Sequence, residues 1–157
     1  MSEVVGRYRR AYPRLFRHPG FKALTPLGQR LTFYLLFGPS SNRIGLFYFS
    51  LNTAAEDLDT TPETLRKALP DVLAAFGWMF DAVARVVFIP TWWRWNSPDH
   101  GKVLQGNLKD LSEIPPCGLV DAFANNVTYL NPDLHPTFFE AIRLRLVEAP
   151  RSQDPFC

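Results

Sequence analysis

The sequence predicts an α+β fold, mostly α, and three observations carry that expectation. Two segments, 25–38 and 61–77, open with Thr-Pro, carry apolar residues at helical spacing and close at Gly. Short aromatic or β-branched runs at 44–50, 78–80 and 86–89 suit strands. Beyond Pro98 only helical spacing returns.

In chain order, residues 1–23 (MSEVVGRYRRAYPRLFRHPGFKA) are basic and aromatic with little periodicity. Arg14 to Arg17 can form one helical turn before His18-Pro19-Gly20 breaks it. Thr25 then caps a helix with Pro26 at its first position, where the missing amide would lack a partner anyway. Leu27, Leu31, Tyr34 and Leu35 form its buried stripe, and Gly38-Pro39 ends it. IGLFYFS (44–50) reads as a strand and LNTAAEDLD (51–59) as a brief helix. Thr61-Pro62 starts a third helix with Leu65, Leu69, Val72, Leu73 and Phe76 inward and Gly77 as its terminator. Pro70 inside it removes the bond to the Arg66 carbonyl and is expected to kink or weaken the helix. WMF (78–80) and VVFI (86–89), joined by DAVAR, read as a β-hairpin.

Helix, short strand, helix, helix, hairpin is the order of a winged helix-turn-helix, whose third helix keeps an outward face for a major groove. The chain divides accordingly into a basic N-terminal arm (1–23), a winged helix-turn-helix domain (24–97) and a helical C-terminal extension (98–157). The extension shows Leu104, Leu108 and Leu111 on one face, a break at Pro115-Pro116, then CGLVDAFAN and HPTFFEAIRLRLVEA, the latter with Phe139, Ile142 and Leu146. It is expected to pack on the domain or on another copy of the chain.

TWWRWN (91–96) holds three of the four tryptophans. If the second hairpin strand continued through it, Trp93 would face away from Trp92 and Trp95. The expected role is a hydrophobic seal between wing and tail. Base stacking aided by Arg94 would instead favour single strands, and membrane contact lacks an accompanying amphipathic basic helix.

The composition, 46% hydrophobic and 20% charged, is that of a folded soluble protein, and 157 residues suit one domain, or one small domain with an appendage. No apolar stretch suits a transmembrane span or a signal peptide, so the expectation is a cytoplasmic protein without membrane contact. Cys117 and Cys157 form no CxxC pair, and Asn126-Val127-Thr128 reads as a chance sequon. The net charge of +2 hides an asymmetry, because up to residue 50 eight basic side chains face Glu3 alone, giving +7 there and −5 in the rest. Such a segment suggests contact with phosphate.

The segments HPGFKALTPLGQRLTFYLLFGPSSNRIGLFYFS, LNTAAEDLDTTPETLRKAL, FGWMFDAVARVVFIPTWWRWN and NLKDLSEIPPCGLVDAF together resemble the replisome-organizer and DnaD-like N-terminal domain group of bacterial and phage replication proteins, over roughly residues 10 to 124. The resemblance implies a winged-helix fold, DNA binding during replication initiation, contact with replication proteins and self-association as a homodimer.

The candidate DNA contacts on the helix from Pro62 are Arg66 and Lys67, for guanine edges or phosphates, with Thr60, Thr61 and Thr64 near its N-terminus. Arg85 flanks the wing tip Ala82-Val83-Ala84, which is otherwise uncharged. Arg7, Arg9, Arg10, Arg14 and Arg17 can track a backbone or enter a minor groove. Alternatively, Tyr8, Tyr12, Leu15 and Phe16 anchor the segment to the domain while the arginines only keep it soluble, and the two uses are compatible. The same helix face is also an ordinary solvated one, with Glu63 and Lys67 as an i, i+4 pair. Glu63 and Asp71 would repel phosphate.

No enzyme is expected. His18, His100 and His135 are scattered, and GxSxG, Walker and HExxH motifs are missing. Glu56, Asp57, Asp59 and Glu63 fall where acids favour helix starts, so no metal or cofactor is expected. The expectation is a DNA-binding protein of replication, with duplex favoured over single strands. A transcription regulator on the same scaffold and a replication-machinery interaction module that does not touch DNA are the alternatives.

Overall fold

A computed structural model of the chain describes residues 9 to 148. A 3₁₀ turn (Pro13–Arg17) leads into α1 (Pro19–Ala23), α2 (Pro26–Phe37), β1 (Leu46–Tyr48), α3 (Leu51–Asp57) and α4 (Pro62–Phe76). Next come β2 (Met79–Asp81), β3 (Val86–Phe88), α5 (Trp92–Trp95) and α6 (Gly101–Leu108). The chain closes with a second 3₁₀ turn (Lys109–Glu113), α7 (Gly118–Ala124), a third (Pro132–Leu134) and α8 (His135–Glu148). The fold is α+β, mostly helical, with one small antiparallel sheet in the order β1-β3-β2.

Local chemistry sets the helix ends. Thr25 Oγ1 accepts from the Gly28 amide at 3.1 Å, Ser50 Oγ from Thr53 at 3.3 Å and Thr61 Oγ1 from Thr64 at 3.2 Å. Gly77 ends α4 at φ +68°, a left-handed conformation that glycine adopts at little cost. Leu31, Leu35, Leu65 and Val72 are fully buried between α2, α3 and α4. Tyr34 on α2 ties α3 down, its hydroxyl donating to Asp57 Oδ2 at 2.6 Å. Burial and then this carboxylate push the phenol up to about 12.

The first strand is shorter than the run 44–50 suggests. Asn42 Oδ1 accepts from the Ile44 and Gly45 amides, both at 3.1 Å, and Gly45 takes φ +71°, so the chain bends before Leu46. β1 then pairs with β3, Leu46 opposite Phe88, while β2 takes the other side of β3 with Met79 opposite the same residue. All three residues of β3 are buried, as a central strand requires.

TWWRWN does not prolong the strand. After Pro90 the chain turns into the single helical turn α5, and the extended-strand alternation expected there is corrected. Trp92 and Trp93 are both buried, whereas Trp95 stays half-buried. Trp92 Nε1 donates to the Arg43 carbonyl at 3.0 Å. Phe123 of α7 meets Phe88, Trp93 and Phe138 at ring distances of 6.0, 6.2 and 5.7 Å, so the sheet, α5 and α8 share one apolar centre.

The inner face of α8 also differs from expectation. Phe138 and Ile142 are buried, while Phe139 and Leu146 are about half exposed. Phe138 aligns with Leu134 in the preceding turn and with Ile142 one turn later, the i, i+4 spacing that selects one of two adjacent phenylalanines. Buried Asp110 accepts from Arg43 three times, from the amide at 2.9 Å, Nε at 3.2 Å and Nη2 at 2.8 Å. This clamp fastens the bend before β1 to the second 3₁₀ turn.

Candidate nucleic-acid interface

The outer side of α4 is open. Glu63, Thr64, Arg66, Lys67, Pro70, Asp71 and Ala74 are exposed while Leu65, Leu69 and Val72 on the other side are buried. Thr60 is half-buried; Thr61 is exposed and already serves as the cap, with its hydroxyl 2.7 Å from that of Thr64. That pair still has one hydroxyl proton to donate outward. Lys67 has no carboxylate partner among the described residues. The i, i+4 pairing of Glu63 with Lys67 is corrected: Glu63 pairs with Arg66 at 2.8 Å, both side chains more than half exposed. Solvent screening keeps such a pair weak, so Arg66 can exchange it for a phosphate.

Arg85 stands at φ +58° at the end of the hairpin loop, exposed, with Nη1 donating to the Tyr48 hydroxyl at 3.3 Å. The tip is held by Asp81 Oδ1, which accepts from the amides of Val83 at 3.0 Å and Ala84 at 2.9 Å. That turn leaves Val83 95% exposed, an apolar residue at the point where a phosphate-gripping wing would place a cation.

From Arg9 onward the basic segment lies against the domain instead of reaching away from it. Arg9 donates to Ser41 Oγ at 3.4 Å and to the Ser41 carbonyl at 3.1 Å. Tyr12 donates to the Trp95 carbonyl at 2.7 Å, and the two rings lie 4.9 Å apart. Phe16 touches Phe21 and Phe33 with its ring, yet it stays 62% exposed. Arg10, Arg14 and Arg17 are exposed and have no carboxylate partner among the described residues. Arg7 and Tyr8 lie outside the described residues.

The charge is therefore unevenly placed along the chain. Between residues 9 and 50 the basic side chains Arg9, Arg10, Arg14, Arg17, Lys22, Arg30 and Arg43 meet no carboxylate in sequence. From 51 to 85, Glu56, Asp57, Asp59, Glu63, Asp71 and Asp81 outnumber Arg66, Lys67 and Arg85. A polyanion is attracted by the N-terminal segment and weakly repelled by the surroundings of α4. Those acids form no metal-binding group among the described residues.

A grouping that the residue-by-residue reading missed is the hollow where Arg10, Tyr12 and Arg14 meet Arg94 and Trp95. RYRRAYPR and WWRW were each visible as basic-aromatic stretches, but about eighty residues separate them and only the tertiary fold joins them. No helix of the described residues is long and apolar enough to cross a membrane. In comparisons with protein-family models, curated proteins and solved structures, none matches the chain.

Proposed function

We propose that the chain is a non-enzymatic winged helix-turn-helix protein that binds duplex DNA, in the cytoplasm, during phage or bacterial replication initiation. The observation that carries the DNA reading is the open outer face of α4, apolar inside and solvent-facing outside along its whole length. The order of α2, β1, α3, α4 and the β2–β3 hairpin, with β1 added to the sheet, supports the winged-helix assignment. In this reading the first turns of α4 enter the major groove with Thr60, Thr61, Thr64, Arg66 and Lys67. Arg85 and the basic residues before Pro19 neutralise the backbone. The replication role, the replication-protein partners and self-association rest on the sequence resemblance.

A second reading is favoured by two features. The wing tip is apolar at Val83, and the C-terminal half of the α4 face presents Pro70 and Ala74. Those residues suit a protein partner of the replication machinery better than a phosphate backbone.

Filter binding of duplex DNA across a salt series separates the two. DNA binding through this surface requires log affinity to fall linearly with log salt, at about 0.9 per phosphate contacted. Replacing Lys67 by Ala reduces that slope by about 1. Weak affinity at low salt, or affinity indifferent to Arg66→Ala with Lys67→Ala, leaves the interaction module as the function.

A further inference from the structure

We propose that the hollow between the N-terminal segment and α5 binds one unpaired nucleotide, its base against Tyr12 and Trp95 and its phosphate on Arg10, Arg14 and Arg94. The cavity measures about 290 Å³, near the lower end of the roughly 300–1,000 Å³ typical of small-molecule sites. That suits a single nucleotide and excludes a duplex.

Its walls select for two properties at once. Phe76 and Trp78, stacked 4.6 Å apart at 24°, add to Tyr12 and Trp95, so the lining is rich in aromatic rings and favours a flat ring. Three arginines line it and no carboxylate does, so it favours an anion. The guanidinium carbons of Arg14 and Arg94 sit 5.3 and 4.8 Å from the centre of the same Trp95 ring. They are therefore no more than about 10 Å apart, and Arg94 also lies 5.7 Å from the centre of the Tyr129 ring, so an anion between them gains from both charges. A cationic or neutral aliphatic ligand meets neither demand.

The site is also built before any ligand arrives. The Tyr12 hydroxyl donates to the Trp95 carbonyl at 2.7 Å, and Arg9 holds the segment to Ser41, so the wall is fixed. Ala75 and Phe76 in the lining put the cavity at the carbonyl end of α4. At 1.5 Å per residue this is about 22 Å from Thr61, so the site lies apart from the α4 face and does not depend on Lys67, although Arg10 and Arg14 are shared with the backbone contacts of the proposed function. A helix carbonyl end disfavours anions. Binding must come from the guanidinium groups, which makes the arginines the decisive test.

The full chain is titrated at low salt with an oligothymidylate of about 15 nucleotides, thymidine 5′-monophosphate, thymidine, inorganic phosphate and phosphotyrosine, following tryptophan fluorescence. The strand and the monophosphate are expected to quench to saturation, with thymidine and phosphate each weaker than the monophosphate by about tenfold or more. Arg14→Gln combined with Arg94→Gln weakens strand and monophosphate about tenfold or more while the thermal midpoint is unchanged. Trp95→Phe lowers the quenching, with Trp78 and Trp92 left in the lining, but keeps binding, and Trp95→Ala weakens it. A strand bound about a hundredfold more tightly than the monophosphate assigns the site to single-stranded nucleic acid, and equal affinities assign it to a free nucleotide. Thymidine or phosphotyrosine matching the monophosphate, or an arginine pair whose loss changes nothing, overturns the proposal. Lys67→Ala, which impairs duplex binding under the proposed function, leaves these titrations unchanged, so failure of one site is distinguishable from failure of the other.

Discussion

Gly45 shows what a single residue decides in this fold. At φ +71°, a Cβ there would sit 2.5 to 2.7 Å from Cγ, Cβ and Cδ2 of Trp92. The indole cannot retreat, because it is buried and Nε1 is bonded to the Arg43 carbonyl. The Gly45 carbonyl also accepts from Ile89 at 2.8 Å, so the backbone cannot yield without loosening the sheet. Gly45→Ala is expected to destabilise the protein by about 3 kcal/mol, from backbone strain plus overpacking. Gly77 has nearly the same φ, +68°, but nothing within 4 Å of its Cβ position, so Gly77→Ala serves as the control at about 1 kcal/mol. Denaturant unfolding of both variants checks the difference, and equal losses would refute the steric account. In the sequence Gly45 reads only as the residue before an aromatic run. That it makes room for a tryptophan 47 positions later is a tertiary fact with no local signal.

At the scale of elements, legibility followed the strength of the end signals. α4 was readable almost to the residue because Thr61, Pro62 and Gly77 each favour a specific backbone conformation. α5 was not, since four residues are too few for alternation and helical spacing to differ. Pro70 is expected to kink or weaken α4, and the helix runs through it from Pro62 to Phe76. Pro70 is exposed, so the Arg66 carbonyl that loses its amide partner can turn to water instead of being stranded in the core. The same position predicts an unrealised gain. Pro70→Ala restores the donor and removes the ring clash, and should raise stability by about 1–3 kcal/mol. Urea unfolding with no gain would mean that α4 has relaxed fully around the proline.

For the molecule as a whole, the local order of helices and strands was legible. The joins were not legible. β1 finds β3 forty residues on, and Arg43 finds Asp110 across 67 positions, contacts that local periodicity cannot encode. These joins make the C-terminal extension part of the same apolar centre as the sheet, through Phe123 as well as Asp110. The Asp110 carboxylate also raises the Arg43 guanidinium above its ordinary value, against the opposing effect of burial. Asp110→Ala removes three acceptor contacts at once, including one to a backbone amide, and should cost about 2–3 kcal/mol. Because the clamp joins two parts of one core, the loss should shift the tryptophan signal and the helical signal in far-UV circular dichroism to the same new midpoint. If the helical signal instead splits, with one step retaining the original midpoint, the extension folds independently and the clamp is only a surface tie between two units.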